Sequence, residues 1–182
     1  MREKIKQILR ENTEENVTKL SVFDFDGTLV DTGMPDTHKI IYKEKTGQDW
    51  PYKGWWGRAE SLDMDVFDFK AIPEVKSAYT IERQRPNTMV ISLTGRRPKL
   101  SKEVEAILNA NGYVFDKYLY NYGKDTLSNK IEQLNNLLSE TPNIVDVELF
   151  DDRAEHISTF QSWGQSLVDS GRLNNFKINH IK

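Results

Sequence analysis

The chain has 182 residues, no cysteine and a formal net charge of −3 at pH 7. The length fits a single domain over residues 1–182, and the lack of cysteine excludes disulfides, thiolate zinc sites and a cysteine nucleophile. The mild acidity argues against a globally basic nucleic-acid binder but is compatible with a local basic patch. Because the sequence has neither a signal-peptide core nor an apolar run that could span a bilayer, we expect a cytoplasmic protein with no membrane partner. The oligomeric state stays open.

Runs of apolar and β-branched residues predict the strands. In chain order they lie at 20–25, 88–93, 117–120 and 146–150, with an alternating edge strand at 176–180 and a further candidate at 166–169. Gly27 follows the first strand and favours a turn there.

Helical periodicities precede, separate and follow these strands. The candidates are an N-terminal segment with Ile5, Ile8 and Leu9; segments 36–45 and 74–83; a segment from Pro98 with Leu100, Val104, Ile107 and Leu108; one with Leu127, Ile131, Leu134 and Leu138; and one around Ile157 and Phe160 that Gly164 would end. Strands that alternate with amphipathic helices predict an α/β fold with a parallel sheet, in which ligands bind at the carboxyl ends of the strands.

The residues that come after three of these strands suit a phosphate and metal site. They are Asp24 and Asp26 after the first strand, Thr94, Gly95 and Arg96 after the second, and Asp151, Asp152 and Arg153 after the fourth. Because Asp24 and Asp26 are two residues apart, an extended backbone would point both carboxylates to one side, where a divalent cation relieves their repulsion. Carboxylate and hydroxyl oxygens suit Mg²⁺, and this set of groups suits phosphoryl transfer.

Three segments resemble, in order, the first, second and fourth motifs of the haloacid dehalogenase (HAD) superfamily: 22–29, 90–96 and 149–152. The spacing is 70 residues from Asp24 to Thr94 and 57 residues from Thr94 to Asp151. The third motif of that superfamily is a lysine, which we assign to Lys130, with Lys124 as the alternative.

The resemblance also implies the architecture. We expect a Rossmannoid three-layer sandwich with a mainly parallel sheet and a small cap insertion after the first strand. We place the cap at residues 34–72, because the segment between the first two motifs is longer than a crossover helix needs.

The same resemblance implies the catalytic roles. Asp24 would be the nucleophile that forms an aspartyl-phosphate, and Asp26 would be the general acid and then the general base. Thr94 would donate a hydrogen bond to a phosphoryl oxygen, and Lys130 would neutralise charge on Asp24 and the phosphoryl group.

The metal ligands implied by the resemblance are four aspartates. Mg²⁺ would bind Asp24, the backbone carbonyl of Asp26, and Asp151. Asp152 would bind the ion through water or orient Lys130. The fourth motif here is Asp-Asp, not Gly-Asp, so the division of work between Asp151 and Asp152 stays open, and we favour Asp151 as the direct ligand because it comes first.

Further features over residues 19–163 resemble the HAD group named Swiss Army Knife RNA repair-like. They are Trp55-Trp56, the strand end at 93–96, Thr126 ahead of Lys130, and Asp152-Arg153 with His156 three residues after Arg153. This resemblance implies a phosphorylated nucleic-acid end as the substrate.

The aromatic loop at residues 50–58 has two interpretations. Its tryptophans could form the core of the insertion, or they could form a stacking platform for bases or sugars beside Lys53 and Arg58. The substrate-binding candidates are Trp55, Trp56, Arg58, Gly95 and Arg96. Arg96 and Arg153 fit a substrate phosphate and an ordinary ion pair equally well. His156 fits packing or solvation better than reaction.

The leading hypothesis is therefore a Mg²⁺-dependent HAD-type phosphatase that hydrolyses a phosphate monoester, with nucleic-acid ends as the favoured substrate. A small cap leaves the site open, which is compatible with a polymer end. One alternative is a small-molecule phosphatase for a nucleotide or sugar phosphate. Another is a phosphate-binding module without catalysis, which the intact pair of Asp24 and Asp26 disfavours.

Overall fold

A computed structural model describes residues 16–182, so the helix predicted around Ile5, Ile8 and Leu9 lies outside the described residues. The elements in chain order are β1 (Lys19–Phe23), β2 (Val30–Asp31), α1 (Pro35–Thr46), β3 (Lys70–Ala71), α2 (Pro73–Gln84), β4 (Thr88–Leu93), α3 (Ser101–Ala110), β5 (Lys117–Leu119), α4 (Thr126–Glu140), β6 (Asp146–Asp151), α5 (Ala154–Asp169) and β7 (Asn175–His180). Single 3₁₀ turns lie at Ala59–Leu62 and Pro98–Leu100.

The main sheet has five parallel strands in the order β5-β4-β1-β6-β7. In the central strand β1, Phe23 is in register with Ser92 of β4 and with Phe150 of β6. The carboxyl ends of these three strands therefore lie side by side, which brings the residues after them to one edge. The predicted α/β fold with a parallel sheet is confirmed.

Side chains alternate across the central strand and build two cores. Leu20 and Val22 pack with α4 and α5, whereas Phe23 packs with α2 and α3. This alternation is what the pleat of a strand requires when helices cover both faces of a sheet. Among residues 16–182, none of the helices has both the length and the apolar character needed to cross a bilayer.

The segment between β1 and α2 carries α1, a 3₁₀ turn and the aromatic loop. Strands β2 and β3 pair antiparallel at its base, with Val30 opposite Ala71. Helices α1 and α2 confirm the helices predicted at 36–45 and 74–83, and each has proline in its first turn. The limits of a cap at 34–72 stay a prediction.

The strand predicted at 166–169 is wrong. These residues are the last turn of α5, and Gly164, predicted to end that helix, lies inside it. A Cβ atom at Gly164 would lie 2.1 Å from the Phe176 ring, so the glycine lets α5 pack closely on β7. The helical spacing of Phe160, Gly164 and Leu167 is regular once glycine is counted as a contact position.

Candidate active site

The turn after β1 positions the first motif. The Asp24 backbone N–H donates to the Phe150 carbonyl at 3.0 Å, which continues the pairing with β6 one residue beyond the strand. Gly27 then adopts φ +68°, and a Cβ atom there would lie 2.5 Å from Asp152 Oδ2. Glycine is therefore needed both for the left-handed backbone and for the close approach of the Asp152 carboxylate.

A buried lysine bridges two of these aspartates. Lys130 Nζ lies 2.9 Å from Asp24 Oδ2 and 2.7 Å from Asp151 Oδ2, and the lysine is 1% exposed. Lys124, the alternative, pairs instead with Glu132 at the surface. The structure thus brings Lys130 beside Asp24, because α4 packs on one face of the sheet and buries this position.

Negative charge is in excess around Lys130. Burial raises the pKa of Asp24 and that of Asp152, and the nearby Asp151 raises both further. Burial also raises the pKa of Asp151, but Lys130, His156 and the Arg153 backbone N–H together hold it below its usual range. Burial opposes the charge of Lys130, yet Asp24 and Asp151 raise its pKa, so the ammonium stays charged. One buried cation faces three carboxylates.

This arrangement fits a divalent cation. Asp24, Asp151 and Asp152 each offer an oxygen, and these atoms lie within 4.8 Å of one another. Asp152 Oδ1 is buried and has no hydrogen-bond partner among the described residues. This carboxylate oxygen has no hydrogen-bond donor among residues 16–182 and lies in a cluster with excess negative charge. A hard cation that prefers oxygen ligands would satisfy it.

The Asp26 carboxylate lies apart from this cluster. It accepts hydrogen bonds from Thr32 Oγ1 at 2.9 Å and from Arg96 Nη2 at 2.7 Å. Asp24 and Asp26 both line one cavity, and the charge of Asp26 helps to raise the pKa of Asp24, so the expectation that both carboxylates face one site stays a prediction. The Asp26 side chain thus lies at the boundary between the sheet edge and the aromatic loop. Its backbone carbonyl is the Asp26 group that could bind an ion in the cluster.

Arg96 joins the two sides of that boundary. Its Nε and Nη2 bind Asp26, while Nη1 donates to the Trp56 carbonyl at 2.7 Å and to Ser61 Oγ at 3.1 Å. The residue is 2% exposed. Each guanidinium nitrogen thus has a protein partner. Of the two alternatives for Arg96, contact with a substrate phosphate or an ion pair, the structure shows an ion pair, in which the arginine is buried.

A cavity of about 150 Å³ opens above the cluster. Its wall consists of Asp24, Asp26, Trp56, Gly95, Arg96, Thr126 and Arg153. Thr94, next to Gly95 in the chain, is 1% exposed and not part of this wall, and its Oγ1 accepts a hydrogen bond from the Arg96 backbone N–H at 3.1 Å. From the sequence, Thr126 is only a feature of the resemblance and the role of Arg153 is undecided. Their positions at the start of α4 and α5, beside a strand end, are the signal that could have singled them out.

The aromatic loop is divided between core and surface. Trp55 is 4% exposed and packs 5.7 Å from Phe67 between ring centroids, whereas Trp56 is 38% exposed. Arg58 donates to the Lys53 carbonyl and lies against Tyr52, outside the cavity wall. Of the three candidates from this loop, the structure brings Trp56 to the cavity and gives Trp55 no free face for a ligand.

His156 lies on the far side of the acidic cluster. Its Nδ1 is 3.4 Å from Asp151 Oδ1, and the residue is 4% exposed. Its ring also packs edge-on against Phe160. A buried imidazole that touches a core ring and a carboxylate agrees with the expectation of packing.

Solved structures share this architecture. The chain resembles a protein in the structure of the Pnkp1/Rnl/Hen1 complex, with 19% identity, a TM-score of 0.51 and coverage of 91% of this chain and 47% of that one. It also resembles the HAD domain of effector protein Lem4 from Legionella pneumophila, with 13% identity, a TM-score of 0.53 and coverage of 91% and 86%. Likeness at such low identity concerns the fold alone.

Sequence comparison adds a relative and a family. Uncharacterized protein YMR265C of Saccharomyces cerevisiae is 26% identical over 178 residues, and the match covers 85% of this chain but 38% of that protein. The model of HAD domain family 1 in Swiss Army Knife RNA repair proteins matches residues 37–182. That match begins after the first motif, so the turn with Asp24 and Asp26 supports the assignment independently of the match. Together with the parallel sheet and the lysine-bridged aspartates at its edge, the match places the chain in the HAD domain family of Swiss Army Knife RNA repair proteins.

Proposed function

We propose that the protein is a Mg²⁺-dependent phosphatase that hydrolyses phosphate monoesters through an aspartyl-phosphate. The observation that carries the proposal is the buried Lys130 between Asp151 and Asp24, the second of which lines a cavity of about 150 Å³. A carboxylate nucleophile, a fixed cation and oxygen ligands for a metal are the groups that phosphoryl transfer needs in one place.

In the first step an Asp24 oxygen attacks phosphorus and the ester P–O bond breaks. Asp26 gives its proton to the leaving oxygen, and Asp24 carries the phosphoryl group. In the second step water attacks the phosphorus of the aspartyl-phosphate and Asp26 takes a proton from that water, while the bond between the Asp24 oxygen and phosphorus breaks and frees inorganic phosphate and the Asp24 carboxylate. The Asp26 side chain is 22% exposed and lines the cavity, so it is accessible to the leaving oxygen and to water, whereas Asp24 is 6% exposed.

Lys130 and the acidic cluster prepare the nucleophile. Lys130 holds one Asp24 oxygen at 2.9 Å, and the Phe25 backbone N–H donates to the other at 2.8 Å. This fixes the carboxylate before substrate arrives, so little reorganisation is needed during attack. Mg²⁺, held by Asp24, Asp151 and Asp152 with the Asp26 carbonyl, would supply charge neutralisation at the phosphoryl oxygens.

The substrate that we propose is the phosphorylated end of a nucleic acid. Membership in a domain family of RNA repair proteins supports this choice, as does the likeness to a chain of the Pnkp1/Rnl/Hen1 complex. The cavity has room for a phosphoryl group but not for a whole nucleotide, so the rest of the substrate must extend outward, as a polymer end can.

The test is release of inorganic phosphate from oligonucleotides with a 3′ or 5′ phosphate, beside ribose 5-phosphate and an aryl phosphate. We expect turnover of one type of end with Mg²⁺ and none with EDTA. The Asp24→Asn variant should lose activity by a factor on the order of 10⁴ or more, while its thermal unfolding temperature should stay at or above that of the wild type, because one buried charge is removed.

Activity on ribose 5-phosphate without activity on oligonucleotides would replace the nucleic-acid substrate by a small metabolite. An active Asp24→Asn variant would refute the assigned nucleophile. Tight phosphate binding without hydrolysis of any ester would favour a binding module.

A further inference from the structure

Trp56 is an exposed aromatic side chain held in a fixed place at the mouth of the cavity. The Arg96 guanidinium carbon lies 5.0 Å from the centroid of its ring, and Arg96 Nη1 donates to its backbone carbonyl. Arg96 is itself held by Asp26. One side of the indole therefore rests on a cation, while 38% of the residue is open to solvent. A preordered ring loses little conformational freedom when a ligand stacks on it.

A second cavity, of about 580 Å³, adjoins the first. The two share Asp26, Trp56 and Arg153 in their walls, so Trp56 stands at the boundary between them. Met34, which is 66% exposed, gives the larger cavity a second apolar side chain. Its volume is in the range of sites for small organic ligands, whereas the first cavity has the volume of a phosphoryl group.

The charged groups in their walls suit the two cavities to different parts of a substrate. The larger cavity has the carboxylates of Asp31, Asp152 and Glu155 in its wall. These groups repel a phosphate but can accept hydrogen bonds from the N–H groups of a base. Asp26 and Arg153 line both cavities, so the difference lies in the remaining wall groups. The smaller cavity adds Arg96, the Thr126 hydroxyl and Asp24, whose carboxylate is paired with Lys130, and these cations and the hydroxyl suit an anion. A substrate with a phosphate at one end and a flat uncharged ring next to it fits both.

We propose that Trp56 stacks the base of the terminal, phosphate-bearing nucleoside, which occupies the larger cavity while its phosphate enters the smaller one. This site rests on the proposed function, since it binds the nucleoside to which the hydrolysed phosphate is attached. An aromatic ring stacks on any base, so we expect the site to prefer an end that carries a base over an abasic end and to discriminate little between bases.

The experiment uses matched oligonucleotides with a 3′ or 5′ phosphate, in which the terminal nucleoside carries adenine or is abasic. We expect the wild type to have about tenfold higher kcat/KM for the adenine substrate at the end that is hydrolysed. Trp56→Ala should bring the adenine substrate down to the level of the abasic one, and Trp56→Phe should keep part of the preference. Trp163→Phe is the control, because Trp163 packs on Phe176, away from both cavities, and should leave the preference intact.

Equal turnover of both substrates by the wild type, or an equal loss on both in Trp56→Ala, would overturn the stacking site and leave the phosphatase in place. Equilibrium binding of the same pairs to Asp24→Asn separates the two proposals. If no ester is hydrolysed but the adenine end still binds more tightly in a manner that requires Trp56, the phosphatase fails and the stacking site stands.

Discussion

The sheet edge and the aromatic loop beside it are stabilised in different ways. At the edge, charged side chains are buried and paired: Lys130 and Asp151 have 2% and 3% of their side-chain surface exposed. In segment 34–72 three of the five buried residues are aromatic, and its two ion pairs, Lys43 with Asp49 and Lys70 with Asp68, leave at least 61% of each side chain exposed. Charge pairs should therefore matter for the stability of the edge and little for that of the loop segment, and Arg96 is the residue that joins the two.

The largest expected effect concerns the buried lysine, and it tests whether charge pairs stabilise the sheet edge more than the surface. Lys130→Met leaves the carboxylates of Asp24 and Asp151 without their cation, and we expect a loss of about 3–5 kcal/mol in the free energy of unfolding. Urea denaturation at pH 7 without divalent cations measures it. Lys124→Met is the matched control, since its pair with Glu132 is exposed and should change stability by no more than about 0.5 kcal/mol. Equal losses in the two variants would refute the contrast.

The junction between the two regions comes next. Arg96→Lys cannot bind Asp26 through two nitrogens and hold Trp56 and Ser61 at once, so we expect kcat to fall about 10- to 100-fold with a smaller change in KM. Ser61→Ala removes a contact to the loop but keeps the pair with Asp26, and it should change kcat less than threefold, or about 0.7 kcal/mol. Steady-state kinetics on the same substrate decide this. A larger loss in Ser61→Ala would mean that the loop contact, not the ion pair, positions Asp26.

Two glycines sharpen the comparison through packing. A Cβ atom at Gly164 in α5 would lie 2.1 Å from the Phe176 ring, whereas one at Gly57 in the loop would have no neighbour within 4 Å among residues 16–182. We expect Gly164→Ala to cost about 1–3 kcal/mol and Gly57→Ala to be neutral or slightly stabilising. Thermal unfolding of both variants is the measurement. A neutral Gly164→Ala would show that α5 can move away from β7 without cost.

The smallest effect depends on pH. Burial would raise the pKa of Glu148, but hydrogen bonds from Lys19, Lys177 and Asn179 lower it to about 2 from 4.5. Because the folded state binds this proton less tightly, the stability it contributes is present above pH 4.5 and is lost as the pH falls towards 2. We expect Glu148→Gln to cost about 2 kcal/mol at pH 7 and little at pH 2.

The control for this experiment comes from the loop segment. Asp49→Asn removes the acid of an exposed pair and should change the free energy of unfolding at pH 7 by no more than about 0.5 kcal/mol. Urea denaturation of both variants across this pH range makes the measurement. A Glu148→Gln variant with the pH profile of the wild type would contradict the assignment.

Local pattern was enough for the sheet and for most of the site positions. The apolar runs before Asp24, Thr94 and Asp151 predicted strands whose carboxyl ends meet, and β1, β4 and β6 are paired in that register. The resemblance to the third HAD motif assigned Lys130, on the helix predicted before the fourth strand, and this lysine lies beside Asp24. These predictions succeeded because strand ends and helix faces follow from periodicity over a few residues. The strand at 166–169 failed because Gly164 looked like a helix end, although it serves a contact with distant Phe176.

The amino-acid sequence by itself thus determined the parallel α/β fold, the acidic strand ends and the family. Only the tertiary structure separated Asp26 from the other carboxylates, paired it with Arg96, and buried Trp55 while leaving Trp56 at the cavity. Those outcomes depend on contacts across long stretches of chain, such as the 70 residues between Asp26 and Arg96. Residue type and local spacing carry no information on which of two adjacent tryptophans meets the core, because that is decided by the packing of Phe67 and its neighbours.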